Sequence, residues 1–399
     1  MSYTRHEEAL NFAAHPLLWG LAKVARHRRP CWRVPGLGVV VSDARLAREI
    51  LSRDTEFTKN GPGSFASVIS EGLGAKALGN MDGVRHRELR DALTEVLAPE
   101  RAEIIIRERR ADLHAMCDSL RPGSTIDFAR FTRGWAGRIA FDVIGARPAA
   151  GEEDAASQEL VRRSAGLSSI LGFRKPSRNA MRKAAQDRDA LAAFFRDAYG
   201  QPAPPQSLIA ILQEMKLDFE SALGLLLIYA IGGTLTLSAA LPRILALLLD
   251  SGTYQDLARQ PELISQTVDE GLRFTTPLPG TVRIVKKAVV VDGIRFAAST
   301  RLIVLTCNMA RDPHFFDDAD RFDIGRVYNP RAGRLWYGAG AHRCAGFSLA
   351  QRELKEALSI ISAQVPSLRI AGRSVTFGAL LPAYRELLIS SEGPVHQWQ

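Results

Sequence analysis

One long stretch near the middle of the chain carries no charged residue. Residues 222–241 are mostly apolar and are long enough to cross a bilayer. The stretch includes Gly232-Gly233, Thr234 and Thr236, lies far from both ends of the sequence and has no second span beside it. A helix that is apolar on every side is also typical of the centre of a large protein. The sequence therefore predicts a buried central helix and no membrane span.

Helical patterns dominate the rest of the chain. Apolar residues recur at three- and four-residue spacing in segments that predict helices at 42–52, 84–96, 99–120, 128–144, 261–274 and 345–365. Runs of β-branched residues beside Gly or Pro predict short strands at 34–41, 282–291 and 301–306. Neither a linker nor a repeat divides the 399 residues. We expect one domain over residues 1–399, mainly α with small β-sheets.

Composition narrows the class of protein. The net charge of +9 comes from scattered basic residues without a nucleic-acid-binding signature, so we expect no nucleic acid as partner. The four cysteines Cys31, Cys117, Cys307 and Cys344 lie far apart without a CxxC pair. This spacing argues against a disulfide scaffold or a zinc site and fits a reducing cytosol. The N-terminal residues lack the apolar core of a signal peptide, so a cytoplasmic protein is expected.

The most informative local pattern is the segment 337–346, which reads YGAGAHRCAG. Its glycines allow a tight loop whose backbone approaches a neighbouring group closely. Cys344 comes just before a predicted helix, where free N–H groups and the positive end of the helix dipole favour a thiolate. A single thiolate in a glycine-lined loop suits a large planar metal cofactor, because a protein-only zinc site needs further ligands nearby.

This segment resembles the haem-binding loop of the cytochromes P-450, FGxGxHxCxG, with Tyr337 in place of the phenylalanine. The resemblance implies a cytochrome P-450 fold, a haem-thiolate enzyme and iron protoporphyrin IX (heme b) as the cofactor. It implies that Cys344 is the metal ligand. By the same resemblance the other cofactor-binding residues of the loop are Tyr337, Gly338, Gly340, His342 and Gly346.

Two further sets of residues are similar to family motifs. Glu270 and Arg273 match an ExxR pair and share one helix face. By resemblance, Arg321 completes a structural triad with them. Haem propionates are carboxylates that need cationic donors. His86 and Arg90 are similar to the family's HxxxR pair, and Arg283 lies where the family places a third basic residue, so the resemblance assigns all three to the cofactor site.

The oxygen-activation motif departs from the family. Relatives carry a glycine followed by an acid–alcohol pair, similar to AGxET, whereas this helix reads AIGGTLT at 230–236. Aligning Gly232 with the family glycine puts Thr234 at the acid and Leu235 at the alcohol. Sliding the alignment by one residue puts Gly233 and Thr234 at these two positions instead. Neither alignment supplies a carboxylate. The catalytic candidates are therefore Gly232, Gly233, Thr234 and Thr236. Thr234 or an ordered water is expected to deliver protons, ahead of a polar group of the substrate and of a peroxide route, and Thr236 is expected to matter less than Thr234.

The expected substrate pocket is largely apolar. By resemblance it is lined by Phe65, Val68, Ile69, Leu278, Thr281, Val282, Leu380 and Leu381. An apolar pocket with few polar anchors implies a lipophilic small molecule. The resemblance thus implies a monomeric monooxygenase that oxidises a hydrophobic small molecule, in natural-product tailoring of a terpenoid or polyketide, with dioxygen and electrons from a ferredoxin and a ferredoxin reductase.

Two other functions remain open at this point. The missing acid–alcohol pair also fits an atypical haem enzyme that uses peroxide or that catalyses ring coupling, desaturation or rearrangement. A non-catalytic haem or ligand-binding protein that kept the thiolate is the alternative from another class. Substrate-dependent consumption of reduced nicotinamide separates the enzyme from the binding protein.

Overall fold

The computed structural model describes residues 2–28, 30–60, 70, 78, 81–171, 176–327 and 332–391. Within these ranges the chain is mainly helical with three small sheets. The helices are α1 Ser2–Ala14, α2 Pro16–Ala25, α3 Ala44–Ser52, α4 Val84–Val96, α5 Pro99–Glu108, α6 Arg110–Ser119, α7 Phe128–Ile144, α8 Glu153–Ser168, α9 Arg178–Tyr199, α10 Leu208–Glu214, α11 Phe219–Ser251, α12 Tyr254–Arg259, α13 Ile264–Thr275, α14 Thr306–Met309 and α15 Phe347–Gln364.

The strands form the edges of the helical body. They are β1 Cys31–Val34, β2 Gly38–Val41, β3 Phe57–Thr58, β4 Thr125–Asp127, β5 Thr281–Val285, β6 Val289–Val291, β7 Ile294–Phe296, β8 Arg301–Val304, β9 Leu368–Val375 and β10 Tyr384–Ser391. The largest sheet has the order β1-β2-β8-β5-β3, in which only the β2–β8 pair is parallel. A second sheet has the order β4-β10-β9, and β6 pairs with β7.

The spacing of apolar residues predicted the ends of helices more accurately than residue composition predicted the ends of strands. The helices predicted at 84–96 and 128–144 have those bounds in the structure. The single helix predicted at 99–120 is wrong in detail, because Arg109 leaves the helical conformation and separates α5 from α6. The strands predicted at 34–41 and 282–291 are each two strands. In the first, Gly36 adopts a φ of 74° in the turn that joins β1 to β2.

The uncharged stretch forms the middle of the central helix, α11. Asp218 caps its N-terminus by accepting the Ser221 N–H, and Gly252 ends it in the left-handed conformation. The helix is long and apolar enough to cross a membrane, but most of it is buried inside the protein among α7, α8 and α13. The segment is therefore the buried core helix that the sequence predicts. One hydrophobic cluster, running from Tyr3 to Ile389 in sequence, surrounds it.

Candidate functional site

The glycine-rich loop is folded back on itself directly before α15. The Cys344 N–H donates to the Tyr337 carbonyl oxygen at 2.8 Å and closes the loop. Gly338 and Gly340 adopt φ values of 74° and 68°, which side-chain-bearing residues rarely do. At Gly340 a Cβ would also overlap the carbonyl oxygen of Leu51 at the end of α3. These glycines therefore permit both the turn and its close approach to α3.

We expect Gly340→Ala to displace the loop from α3 and to lower the stability of the folded protein by about 3 kcal/mol or more. The left-handed backbone alone costs a residue with a side chain about 1–2 kcal/mol, and overpacking adds about 1–3 kcal/mol. Gly36→Ala is the matched control, since Gly36 has a φ of 74° but open space around its missing Cβ. Urea midpoints of the two variants measure the difference, and equal losses would contradict the proposed packing role of Gly340.

Cys344 lies in a recess of the protein. Its side chain is accessible to solvent, yet burial raises the pKa of its thiol, so the sulfur has dense protein on most sides. The N–H of Gly346 donates to Sγ, and the positive charges of Arg90 and Arg343 act on it, all of which oppose that rise. Because α15 begins at Phe347, the positive end of its dipole also points at the sulfur. This arrangement suits a sulfur that binds a metal as thiolate.

Basic side chains gather on one side of this recess. His86 and His342 lie with ring centroids 4.3 Å apart, and both lie in reach of the charge on Arg90. Burial, followed by the charges of Lys59 and Arg283, lowers the pKa of His342 to about 2, so this histidine is neutral. Burial lowers the pKa of Arg283 to about 10.

This group of residues fits the propionates of a haem. The Arg283 side chain is 3% exposed, and its bonds within the described ranges, to Thr281 Oγ1 and the Val282 carbonyl, both use Nη1. Its remaining donors have no partner there. Buried guanidinium groups are normally paired with carboxylates, whereas the main carboxylate acting on this group is Asp82. An anionic cofactor held by Cys344 would give the remaining donors of Arg283 carboxylate partners and would add negative charge to this cationic group.

Sequence reasoning missed Lys59. Burial, together with the charges of Arg283 and Arg90, lowers the pKa of this lysine to about 7, which places it inside the cationic group. It follows β3 directly, and the pairing of β3 with β5 is what brings it beside Arg283. A single lysine after a two-residue strand carries no signal of its own, so only the sheet pairing locates it.

Glu270 is the centre of a buried ion cluster. It accepts from Arg273 Nε at 2.6 Å and from Nη2 at 2.8 Å, and also from the Asp323 N–H at 2.9 Å. The prediction that Arg321 completes the cluster is wrong, because its side chain is exposed and only its carbonyl accepts from Arg273. Arg326 takes the position instead, with Nε 3.1 Å from Glu270 Oε2. The loop turns back after Arg321, so the later arginine reaches inward.

One face of the central helix is open in an otherwise buried region. Gly232 and Thr236 are exposed, and a Cβ at Gly232 would meet open space. They are four residues apart and share this face; the Thr236 hydroxyl donates to the Gly232 carbonyl oxygen at 2.6 Å. Thr234 lies on the opposite face, fully buried, and donates to the Ala230 carbonyl. The expectation that Thr234 is the leading proton donor is therefore wrong.

The candidate substrate residues are only partly described. Phe65, Val68 and Ile69 lie outside the described residues. Leu278 is 38% exposed, whereas Thr281, Val282 and Leu380 are half-buried. Leu381 is buried in the structure at 7% exposure, so it contributes packing more than open surface.

Comparison with known proteins agrees with this geometry. A family model described as cytochrome P450 matches residues 249–361, a range that contains both the Glu270 cluster and Cys344. The biotin biosynthesis cytochrome P450 of Bacillus subtilis (strain 168) is 26% identical over 72% of this chain and 72% of its own length. Mycinamicin IV hydroxylase/epoxidase of Micromonospora griseorubida is 25% identical over 85% of this chain and 82% of its own.

The fold is shared as well. The crystal structure of P450BioI in complex with a hexadec-9Z-enoic acid-ligated acyl carrier protein superposes with a TM-score of 0.83, at 23% sequence identity, over 96% of this chain and 99% of that one. The chain belongs to the cytochrome P450 superfamily of haem-containing oxidoreductases, as a member of bacterial type.

Proposed function

We propose that this protein is a monooxygenase that inserts oxygen from dioxygen into a hydrophobic small molecule. The observation that carries the proposal is the placement of Cys344, which lies in a recess at the start of α15 beside a group of under-compensated cations. Natural-product tailoring is the favoured setting because the relative from Micromonospora is described as a hydroxylase/epoxidase of mycinamicin IV. A single cytoplasmic domain over residues 1–399 remains part of the proposal.

The residues of this chain would hold iron protoporphyrin IX as follows. Cys344 supplies the thiolate ligand, and His86, Arg90, Arg283, His342 and Lys59 face the propionates. Gly338, Gly340 and Gly346 let the loop backbone approach the ring, and Tyr337 packs against Phe347 behind the loop with ring centroids 5.0 Å apart. A bound haem would supply the metal centre for oxygen activation, and the electron density of its thiolate ligand would favour cleavage of the O–O bond.

The open face of the central helix would form the other wall of the site. Gly232 leaves room for a small diatomic ligand, and Thr236 places a hydroxyl beside it. Leu278, Thr281, Val282 and Leu380 would provide apolar contacts for the substrate. None of the residues from Gly232 to Thr236 supplies a carboxylate, so proton delivery needs another source.

Thr236→Ala should uncouple the enzyme several-fold, so that more of the electrons taken from NADPH appear as hydrogen peroxide. The reason is that Thr236 is the hydroxyl on the open face. Thr234→Ala is the control on the buried face and should change the peroxide yield little, while Thr236→Ser should restore coupling. The measurement is peroxide formed per NADPH consumed. A larger effect from Thr234→Ala would contradict the assignment, and turnover with peroxide alone, faster than with redox partners, would favour a peroxide-using enzyme.

The electron donor is proposed to be an acidic ferredoxin served by a ferredoxin reductase. Of the arginines near the thiolate loop, Arg326 and Arg334 are engaged with Glu270 and Asp269, and Arg331 lies outside the described residues. Arg343, in the loop, and Arg87, on α4, are exposed. These two charges, rather than a larger cluster, support a docking face on the thiolate side.

Raising the ionic strength should slow reduction by an acidic ferredoxin, because salt screens the attraction between the two surfaces. Arg343→Glu and Arg87→Glu should each slow it by about fivefold at low salt, since one exposed pair contributes up to about 1 kcal/mol. Arg295→Glu, at the exposed residue of β7, is the matched control and should have little effect. Stopped-flow spectroscopy measures the reduction rate of the three variants and of the wild type. A rate that is independent of ionic strength would contradict this docking face.

A further inference from the structure

Arg243 is a buried charge on the central helix. It is the only charged residue between Glu220 and Asp250, and its side chain is fully buried. Its counter-ion is Glu7 of α1, which is 4% exposed and accepts from both Nε and Nη2 of Arg243. A buried ion pair contributes little net stability compared with apolar residues of similar size, because desolvation offsets the attraction between the charges. The other contacts of Arg243 therefore indicate what the pair does.

Arg243 also donates to carbonyl groups in two other segments. Nη2 binds the Thr275 carbonyl oxygen at 2.7 Å, where α13 ends, and Nη1 binds the Pro382 carbonyl oxygen at 3.2 Å, shortly before β10. We call residues 275–278 and 380–382 the pocket segments, because both contribute to the candidate substrate pocket. Their candidate contacts are Leu278, Leu380 and Leu381. One guanidinium thus joins the central helix and α1 to both pocket segments.

The position of Arg243 along the central helix relates it to the open face. Arg243 is seven residues after Thr236, which places it on the same side of the helix and about 10 Å further along. Between them, Ala239 and Ala240 are buried at 1% and 3% exposure, so the open face ends before Arg243 is reached. The pocket segments that Arg243 binds therefore lie beyond the Thr236 end of this face.

The chain between β9 and β10 is also bound to the N-terminal residues. The Gly378 N–H donates to the Ala13 carbonyl oxygen at 3.0 Å, and His15 Nε2 donates to the Leu380 carbonyl oxygen at 2.7 Å. Burial lowers the pKa of His15, so the ring is neutral at physiological pH and makes this bond without adding a charge. Since Glu7 lies on the same helix as Ala13, the ion pair and these two bonds fix this connection at three points.

We propose that Arg243 is a positioning residue that sets the far wall of the substrate site and thereby the length of the hydrophobic molecule that the site prefers. The inference rests on the proposed monooxygenase function, which places the substrate beside the open face. Because Arg243 fixes the Thr275 and Pro382 carbonyls, the apolar side chains near them are ordered before a ligand arrives. Such pre-organisation lowers the entropy cost of binding for a molecule long enough to reach these side chains. Glu7 orients the guanidinium and neutralises its charge.

Two imidazoles of different length test the proposal in the haem-loaded protein. Both bind haem iron through a ring nitrogen; 1-methylimidazole ends close to the metal, whereas 1-dodecylimidazole carries a long alkyl chain. Arg243→Met should weaken the binding of 1-dodecylimidazole about fivefold, because one or two side chains must then be ordered on binding, and should change that of 1-methylimidazole less than about twofold. Titration of the Soret shift gives both dissociation constants. An equal change for the two ligands would overturn the proposal.

Arg373→Met is the matched control. Arg373 binds Asp250 near the end of the same central helix, with Nη–Oδ distances of 2.6 and 2.7 Å. Asp250 in turn lies 3.1 Å from the ring of His6 on α1. This variant therefore breaks another ion pair among the central helix, α1 and β9, whereas the Arg373 bonds to Asp250 and Tyr384 do not involve the pocket segments. The affinities for both imidazoles should remain as in wild type.

A double variant separates positioning from stability. Arg243→Met alone leaves Glu7 buried without its counter-ion, so the urea midpoint should fall. Glu7→Leu combined with Arg243→Met removes both charges and should recover most of that loss, since apolar replacement of a buried ion pair is often neutral. It still offers no donor to the Thr275 and Pro382 carbonyls, so its affinity for 1-dodecylimidazole should stay low. Recovery of both stability and affinity would overturn the proposal, because Arg243 would then act on folding alone.

Amide hydrogen exchange tests the placement of the pocket segments without any ligand. Peptides that cover them should exchange faster in the double variant than in wild type, and Arg373→Met should leave them unchanged. Unchanged exchange in the double variant would overturn the proposal. Failure of the proposed monooxygenase function gives a different result: wild type then oxidises no NADPH with a ferredoxin and its reductase, while the exchange rates still decide the role of Arg243.

Discussion

A Glu270→Ala variant should unfold about 3–5 kcal/mol more easily than the wild type and should accumulate with little bound haem. The Glu270 side chain is 2% exposed and accepts hydrogen bonds from two arginine side chains, Arg273 and Arg326. Removing a buried carboxylate leaves both guanidinium groups charged and without their counter-ion, and such a change typically costs about 3–5 kcal/mol. The urea midpoint and the ratio of haem to protein measure the two effects.

The same experiment separates the two candidates for the third member of the cluster. Arg326→Ala should lose stability and haem content, because its guanidinium lies 3.1 Å from Glu270. Arg321→Ala should stay within about 0.5 kcal/mol of wild type, since exposed side chains away from such clusters contribute little. If Arg321→Ala is as damaging as Glu270→Ala, the observed cluster does not describe the protein in solution.

Features set by local chemistry could be predicted from the sequence. The loop around Cys344 requires glycines at fixed positions and a cysteine before a helix, so its pattern is visible in the residues themselves. The ion pair of Glu270 and Arg273 follows from three-residue spacing on a helix. The helices at 84–96 and 128–144 have long apolar stripes, and their bounds match the prediction.

Features set by tertiary geometry could not be predicted. Arg321 and Arg326 follow one another in an irregular loop, where no periodicity says which side chain turns inward. The choice between Thr234 and Thr236 depended on aligning a degenerate motif, whereas the structure decides it by which face of the central helix is open. Lys59 joins the cationic group only through the pairing of β3 with β5.

Replacing Cys344 by serine should abolish thiolate ligation altogether. The other cysteines are not placed to take over, because the charges that act on Cys117 and Cys307 come from Asp118, Arg26 and Arg311 and not from the cationic group. Cys31 lies on β1, and burial raises the pKa of its thiol. Cys31→Ser, Cys117→Ser and Cys307→Ser are therefore matched controls that should retain the wild-type haem spectrum.

The spectrum of the reduced protein under carbon monoxide tests this ligation most directly. Wild type and the three control variants should show the far-red-shifted Soret band that a thiolate-bound haem gives, and Cys344→Ser should lack it even where haem is still bound. A wild-type protein that binds haem without this band, or a Cys344→Ser protein that keeps it, would contradict the assignment of Cys344 as the metal ligand.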